Sequence, residues 1–171
     1  MYKRQLNTLR SLVREDQDKA QEYIQELSRV LRYTLQGNDS KSVTLRDEME
    51  FVSAYIFLLK MRFEDNLSFD IRIDKQYDDH RLPPMAVQML IENAVKHNEI
   101  SDRRPLSIRV YTEGEELVVT NPVQPKLTAT AGTGVGLANL AKRYHLLYKC
   151  EIQITENKYF TVRIPLIPNA L

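Results

Sequence analysis

The chain has a single cysteine, five glycines, three histidines and no tryptophan in 171 residues. Cys150, placed by its neighbours in a strand, has no partner for an internal disulfide, which suits a reducing cytoplasm. No apolar run approaches the roughly twenty residues that span a bilayer, and no signal peptide is visible. Any membrane anchor of a parent protein is therefore expected outside these residues. Charge of one sign is also missing: 24 basic against 23 acidic side chains leave +1, so no bulk field favours nucleic acid. Repeats and low-complexity stretches are absent. A hydrophobic content of 43% and a charged content of 27% fill one medium soluble domain plus a small helical element.

The most informative stretch is 82–98, where Pro83 and Pro84 open a predicted helix. Met85, Leu90, Ile91, Ala94 and Val95 form its apolar body, which also carries Gln88, Glu92, Asn93, Lys96 and His97. Asn93 and His97 lie four apart and share a face, with Glu92 and Lys96 beside it. A carboxylate, an amide, an ammonium and an imidazole on one stripe make a poor core but a good holder for a polyphosphate and its metal. The competing reading is a solvated surface helix. Three of the five glycines fall in Gly132-Thr133-Gly134-Val135-Gly136, after the small-residue run Thr128 to Ala131 and before a helical pattern from Leu137 to Tyr148. Alternate glycines let backbone N–H groups approach phosphate oxygens, and the following helix N-terminus favours an anion. Alone, such a loop is weak. Following the Glu92-Asn93 helix across two strand patterns, it is far more specific.

Upstream, Leu6, Leu9, Leu12 and Val13 have helical spacing, then Glu15 to Asp18 form a polar break. Ile24, Leu27, Leu31 and Leu35 make a narrow seam ending at Gly37 to Ser40. Two readings stand: a hairpin that completes its core by dimerising, or one packed on its own domain. Thr44 with Asp47 resembles a capping box opening a helix to Phe63. Strands are expected over Ser68–Ile73 (with Phe69, Ile71 and Ile73 on one, apolar side), Leu106–Thr112, Leu117–Thr120, Glu151–Thr155 and Tyr159–Ile164, with hairpin turns at Gly114 and at Glu156-Asn157. The mixture predicts an α+β two-layer α/β sandwich over 41–171, preceded by a helical hairpin over 1–40.

Glu92-Asn93-Ala94-x-x-His97 resembles the N box of the GHKL ATPases, and Gly132-Thr133-Gly134-Val135-Gly136-Leu137 their second glycine box. Within that superfamily the chain is most similar to the LytS-type sensor histidine kinases of two-component systems. Further agreements are Leu27-Ser28-x-x-Leu31-Arg32-Tyr33, Tyr55 with Arg62-Phe63, Leu82-Pro83-Pro84, Asn139-Leu140-x-x-Arg143-Tyr144 and Phe160-x-Val162-x-Ile164-Pro165-Leu166. The resemblance runs in the family's order over nearly the whole chain.

It implies a Bergerat-type (GHKL) ATP-binding fold, ATP and Mg²⁺ as ligands, a homodimer through the N-terminal helices, and a response regulator, of LytTR type, as partner. It places the chain in the cytoplasmic part of an inner-membrane sensor. Asn93 is the expected metal-binding amide, with Glu92 the acid/base or water-orienting carboxylate. Lys96, His97 and the loop residues Gly132, Thr133, Gly134, Val135, Gly136 and Leu137 would meet the phosphates. For His97 a structural, hydrogen-bonded role competes. In many relatives the functional acid lies one turn before the asparagine, where this chain has Met89. Asn121 stands where the family's Asp-x-Gly-x-Gly segment has the adenine-binding aspartate, and the glycines are missing; ending a strand in a turn is its other reading. Pro122-Val123-Gln124-Pro125 reads as a short, stiff lid. The family's phosphoacceptor stretch, His-Phe-Leu-Phe-Asn, would precede Leu6, but Met1-Tyr2-Lys3-Arg4-Gln5 stands there. The expectation is a kinase core cut just after its acceptor, unable to phosphorylate itself. The alternatives are a GHKL ATPase or serine kinase of another type, and a nucleotide-binding interaction module with a degenerate pocket.

Overall fold

The computed structural model describes residues 2–37, 40–126 and 135–169. The chain opens with α1 (Tyr2–Glu15) and α2 (Gln17–Gly37). Asp16 separates them, its Oδ1 accepting the Lys19 N–H at 3.1 Å as an N-cap. The chain turns back there, bringing Thr8 beside the Tyr23 hydroxyl. The two faces of α2 then divide. Ala20, Tyr23 and Val30 are buried, whereas the anticipated seam residues Ile24, Leu31 and Leu35 are 47%, 38% and 73% exposed. The hairpin does pack on its own chain, against α3, yet most of its apolar seam stays outside that contact.

The next elements are β1 (Val43–Thr44) and α3 (Leu45–Phe63). Thr44 caps α3, its hydroxyl accepting the Asp47 N–H at 3.1 Å, as the sequence predicts. Then come β2 (Leu67–Arg72), β3 (Arg81–Leu82), α4 (Ala86–His97), β4 (Leu106–Glu113) and β5 (Glu116–Pro122). The last elements are α5 (Val135–Tyr148), β6 (Gln153–Glu156) and β7 (Tyr159–Pro165). Gly114 turns the β4–β5 hairpin at φ +58°, a conformation that excludes most side chains.

Five strands form one sheet in the order β2-β4-β5-β7-β6. β2 lies parallel to β4, and the other pairs are antiparallel. The period of two places Leu106, Ile108 and Val110 of β4, Leu117 and Val119 of β5, and Val162 and Ile164 of β7 in the core. Phe51, Val52, Leu58 and Leu59 of α3, Leu90, Ile91 and Ala94 of α4, and Leu140 and Tyr144 of α5 meet them. The architecture is the expected α+β two-layer sandwich. Among the described residues no helix is long and apolar enough to cross a membrane.

Three local expectations are corrected. Pro83 and Pro84 do not open α4: Met85 is the N-cap, in the left-handed region at φ 62°, and the helix starts at Ala86. Cys150 falls between α5 and β6, not in a strand, with its Sγ 3.4 Å from the Tyr148 carbonyl. Ile71, expected on the apolar side of β2, is 39% exposed because β2 is an edge strand.

Candidate functional site

The N-terminus of α4 is built from a distance. No side chain of its own caps it. Glu48 of α3, fully buried, supplies the acceptors instead: Oε2 takes the Met85 N–H at 2.9 Å and Oε1 the Val87 N–H at 3.0 Å. A carboxylate there satisfies otherwise orphaned donors and meets the positive end of the helix dipole. Tyr33 of α2 donates its hydroxyl to Oε2 at 2.7 Å. Burial pushes the Glu48 carboxyl above its ordinary value, and these three hydrogen bonds pull the other way.

The far end of α4 is clamped to the segment after β5. Asn98 Oδ1 accepts the Gln124 N–H at 2.8 Å, while Asn98 Nδ2 donates to the Ala94 carbonyl at 2.9 Å. Gln124 Nε2 donates to the carbonyls of Glu99 and Arg104 at 2.7 and 3.2 Å. Lys126 Nζ reaches the Val95 and Lys96 carbonyls at 2.9 and 2.7 Å, placing a cation at the negative end of the helix. Of the stretch Pro122 to Pro125, read as a lid, Pro122 closes β5, and Val123 to Pro125 with Lys126 form a fastened strap. Sequence reasoning missed Asn98, Gln124 and Lys126, as it missed Glu48. An asparagine directly after a helical pattern was the one available signal.

Held at both ends, α4 turns Met89, Glu92, Asn93, Lys96 and His97 toward the first turn of α5, and together with Val135, Gly136 and Leu137 they line a cleft of about 210 Å³. Among the described residues the Asn93, Lys96 and His97 side chains have no hydrogen-bond partner, so their polar atoms are available to a ligand. Glu92 accepts from Gln88 Nε2 at 3.2 Å. Desolvation first, then the nearby Lys96 and Lys126 charges, hold the His97 imidazole below its ordinary pKa, which favours the neutral ring. The cleft therefore pairs hard oxygen donors (Asn93, Glu92) with a cation, an imidazole and the N–H-rich start of a helix. That set fits a polyphosphate with an oxygen-seeking metal. Among the described residues no three His, Cys, Asp or Glu side chains could hold a metal by themselves. A metal here would draw most of its ligands from phosphate and water.

The proposed loop members Gly132, Thr133 and Gly134, and the small-residue run before them, lie outside the described residues. Asn121 is buried on β5, donates from Nδ2 to the Pro122 carbonyl at 2.8 Å and does not line the cleft. Gly136 sits inside the first turn of α5 without positive φ, and a Cβ there would meet Met89 Cγ and Sδ at an ordinary 3.7 Å. Alanine would therefore strain no backbone at this position. Gly136→Ala is instead expected to raise stability by about 0.5 kcal/mol through helix propensity. Urea unfolding checks this: a loss of more than that amount would mean hidden strain.

The geometry now stands beside known proteins. A family described as Histidine kinase matches residues 4–67. The sensor protein LytS of Streptococcus agalactiae is 32% identical over 161 residues, covering 84% of this chain and 27% of that protein. The sensor histidine kinase BtsS of Escherichia coli K12 is 31% identical over 171 residues, covering 94% of this chain and 30% of that protein. The chain belongs to the LytS-type sensor histidine kinases. It spans about a quarter to a third of the length of these family members. The catalytic domain of the histidine kinase ThkA, in a nucleotide-free form, has the same fold at a TM-score of 0.50 and 20% identity, covering 74% of this chain and 97% of that one. In this LytS-type chain the cleft between α4 and α5 is the candidate site. Its histidines do not supplement it elsewhere. His80 lies in the loop before β3, edge-on to Tyr77, and His145 is exposed on α5, 2.9 Å from Glu151.

Proposed function

We propose that this chain is the ATP-binding core of a two-component histidine kinase, with the cleft between α4 and the start of α5 as its triphosphate site. The observation that carries the reading is the convergence of Asn93, Lys96 and His97 on the N-terminal turn of α5. In this reading Asn93 Oδ1 would be the protein ligand of Mg²⁺, which when bound neutralises charge on the phosphates. Lys96, His97 and the backbone N–H groups around Gly136 hold phosphate oxygens, with Gly132, Thr133 and Gly134 completing the cradle. Glu92 is the candidate acid/base. Asn121 accepts the adenine amino group, an amide oxygen serving where a carboxylate is usual.

The acceptor is a histidine imidazole outside these residues. Its unprotonated ring nitrogen bonds to the γ-phosphorus as the bond to the ADP oxygen breaks, ADP departs, and the proton on the other ring nitrogen passes to Glu92 or water. A response-regulator aspartate, in a LytTR-type partner, then receives the phosphoryl group. The exposed stripe of Leu6 and Val13 on α1 with Ile24, Leu31 and Leu35 on α2 supports a homodimer through the hairpin. The part of the protein containing this chain is assigned to the cytoplasm, with any membrane attachment supplied by other segments.

One experiment joins these statements. The chain as given should bind ATP–Mg²⁺ but acquire no phosphohistidine from labelled ATP, because none of His80, His97 and His145 lies on the hairpin. Fusing a His-Phe-Leu-Phe-Asn-type segment ahead of Leu6 should yield acid-labile, base-stable label in a protein that sediments as a dimer. Labelling of the present chain at any of its three histidines would overturn the acceptor assignment. A flat ATP titration would leave the interaction-module reading, and monomeric sedimentation of the fused chain would remove the homodimer.

A further inference from the structure

The Glu48 carboxylate is the meeting point of more elements than a helix cap requires. It lies on α3, 37 residues before Met85, and its oxygens join α2 through Tyr33 to the first turn of α4. Tyr33 is fixed from its other side by stacking on Phe51, with centroids 4.1 Å apart and rings inclined by 11°. One residue before Met85, the Pro84 carbonyl accepts from Arg143 Nη1 of α5 at 3.1 Å. All four helices α2 to α5 therefore meet at the start of α4, where Met85 holds a left-handed conformation that costs a β-carbon-bearing residue energy. That strain persists only while the surrounding hydrogen bonds hold it.

We propose that Glu48 is a positioning residue: with Tyr33 it forms a joint through which the placement of α2 sets the placement of α4 and so the affinity of the cleft for a nucleoside triphosphate. This rests on the reading of the cleft as a triphosphate site. The lever is short and stiff. Asn93 is eight residues beyond Met85, roughly 12 Å along the helix axis. Because the far end is clamped at Asn98, five residues beyond Asn93, a tilt of about 10° imposed at the first turn swings the helix about that end and displaces Asn93 by about 1 Å, a misplacement that already costs a site heavily. The outward face of α2, with Ile24, Leu31 and Leu35 exposed, is the surface on which another element would press to move the joint. A larger cleft, about 450 Å³ and lined by Arg29, Arg32, Tyr33 and Phe51 among others, opens beside the joint.

Tyr33→Phe keeps the ring and its stack but removes the hydroxyl, while Glu48→Gln keeps the shape and one acceptor oxygen. ATP–Mg²⁺ affinities of wild type, each single variant and the double variant are measured by calorimetry where all are folded. Each single substitution is expected to weaken binding about tenfold, with the double variant no weaker than Glu48→Gln alone, because both act through one coupling. A residue that only holds the fold together lowers the melting temperature and leaves these affinities alone. Unchanged affinities, or losses that add, would overturn the joint. Hydrogen exchange without nucleotide forms a separate arm: the Met85 and Val87 amides should exchange about tenfold faster in Tyr33→Phe. If wild type binds no ATP, the reading of the cleft fails, and this arm alone decides the joint, unchanged exchange refuting it. It also decides if Glu48→Gln does not fold.

Discussion

Replacing Asn93 with alanine is expected to weaken ATP–Mg²⁺ binding on the order of 100-fold, by removing the one protein oxygen assigned to the metal. The side chain faces the cleft and has no hydrogen-bond partner among the described residues. Its loss should therefore leave the urea midpoint where it is, within about 0.5 kcal/mol of stability. Binding of adenosine, which carries no phosphate and recruits no metal, should change little. Calorimetric titration of the two proteins with ATP–Mg²⁺ and with adenosine separates the outcomes. Equal ATP–Mg²⁺ affinities would remove Asn93 from the metal's coordination, and a proportional loss with adenosine would point to a collapsed cleft.

The second large effect concerns stability. Glu48→Ala should cost about 3 kcal/mol, since one buried donor, the Val87 N–H, and two part-buried ones, the Met85 N–H and the Tyr33 hydroxyl, lose their acceptor together. Chemical denaturation reads that directly, and a loss under about 1 kcal/mol would mean that water replaces the carboxylate. The pH dependence has a defined sign. Burial raises the Glu48 pKa above its ordinary 4.5, so just above pH 4.5 the unfolded chain releases a proton that the folded one keeps. Stability contributed by this group is full below pH 4.5 and declines as pH rises through the folded-state value. The stability of wild type relative to Glu48→Gln should shrink over that window; a difference that widens with pH would mean the three hydrogen bonds outweigh burial.

What could be read from the sequence was local. Thr44 and Asp47 marked the start of α3, Gly114 the turn between β4 and β5, and the spacing of Asn93 and His97 the face that lines the cleft. In each case the cause and its effect lie within a few residues. Failures occurred where the cause is far away. The start of α4 shifts past both prolines because Glu48, 37 residues earlier, captures the Met85 and Val87 N–H groups. The strap at 123–126 read as a lid because its partners, Asn98, Glu99 and Arg104, come from a different loop. Parallel pairing of β2 with β4 has no local signature at all, because the α3–β2 and α4–β4 connections carry no turn motif. The hairpin shows the same division: its apolar residues were legible, but not which of them would find α3.

The order of strands in the sheet also constrains how the chain can be made. Apart from the two hairpins, its pairings are remote: Leu67 pairs with Leu106, and Leu117 with Ile164. β5 is the central strand, and one of its two neighbours is β7, which ends at Pro165. During synthesis from the N-terminus, helix α4 leaves the ribosome before any strand it packs on has both neighbours. The sheet beneath the cleft cannot close until residue 165 has emerged. Until then Leu90, Ile91 and Ala94 have no finished surface to cover, and high contact order of this kind slows folding. The cleft is thus completed only after residue 165 has emerged, although α4 itself ends about 70 residues earlier.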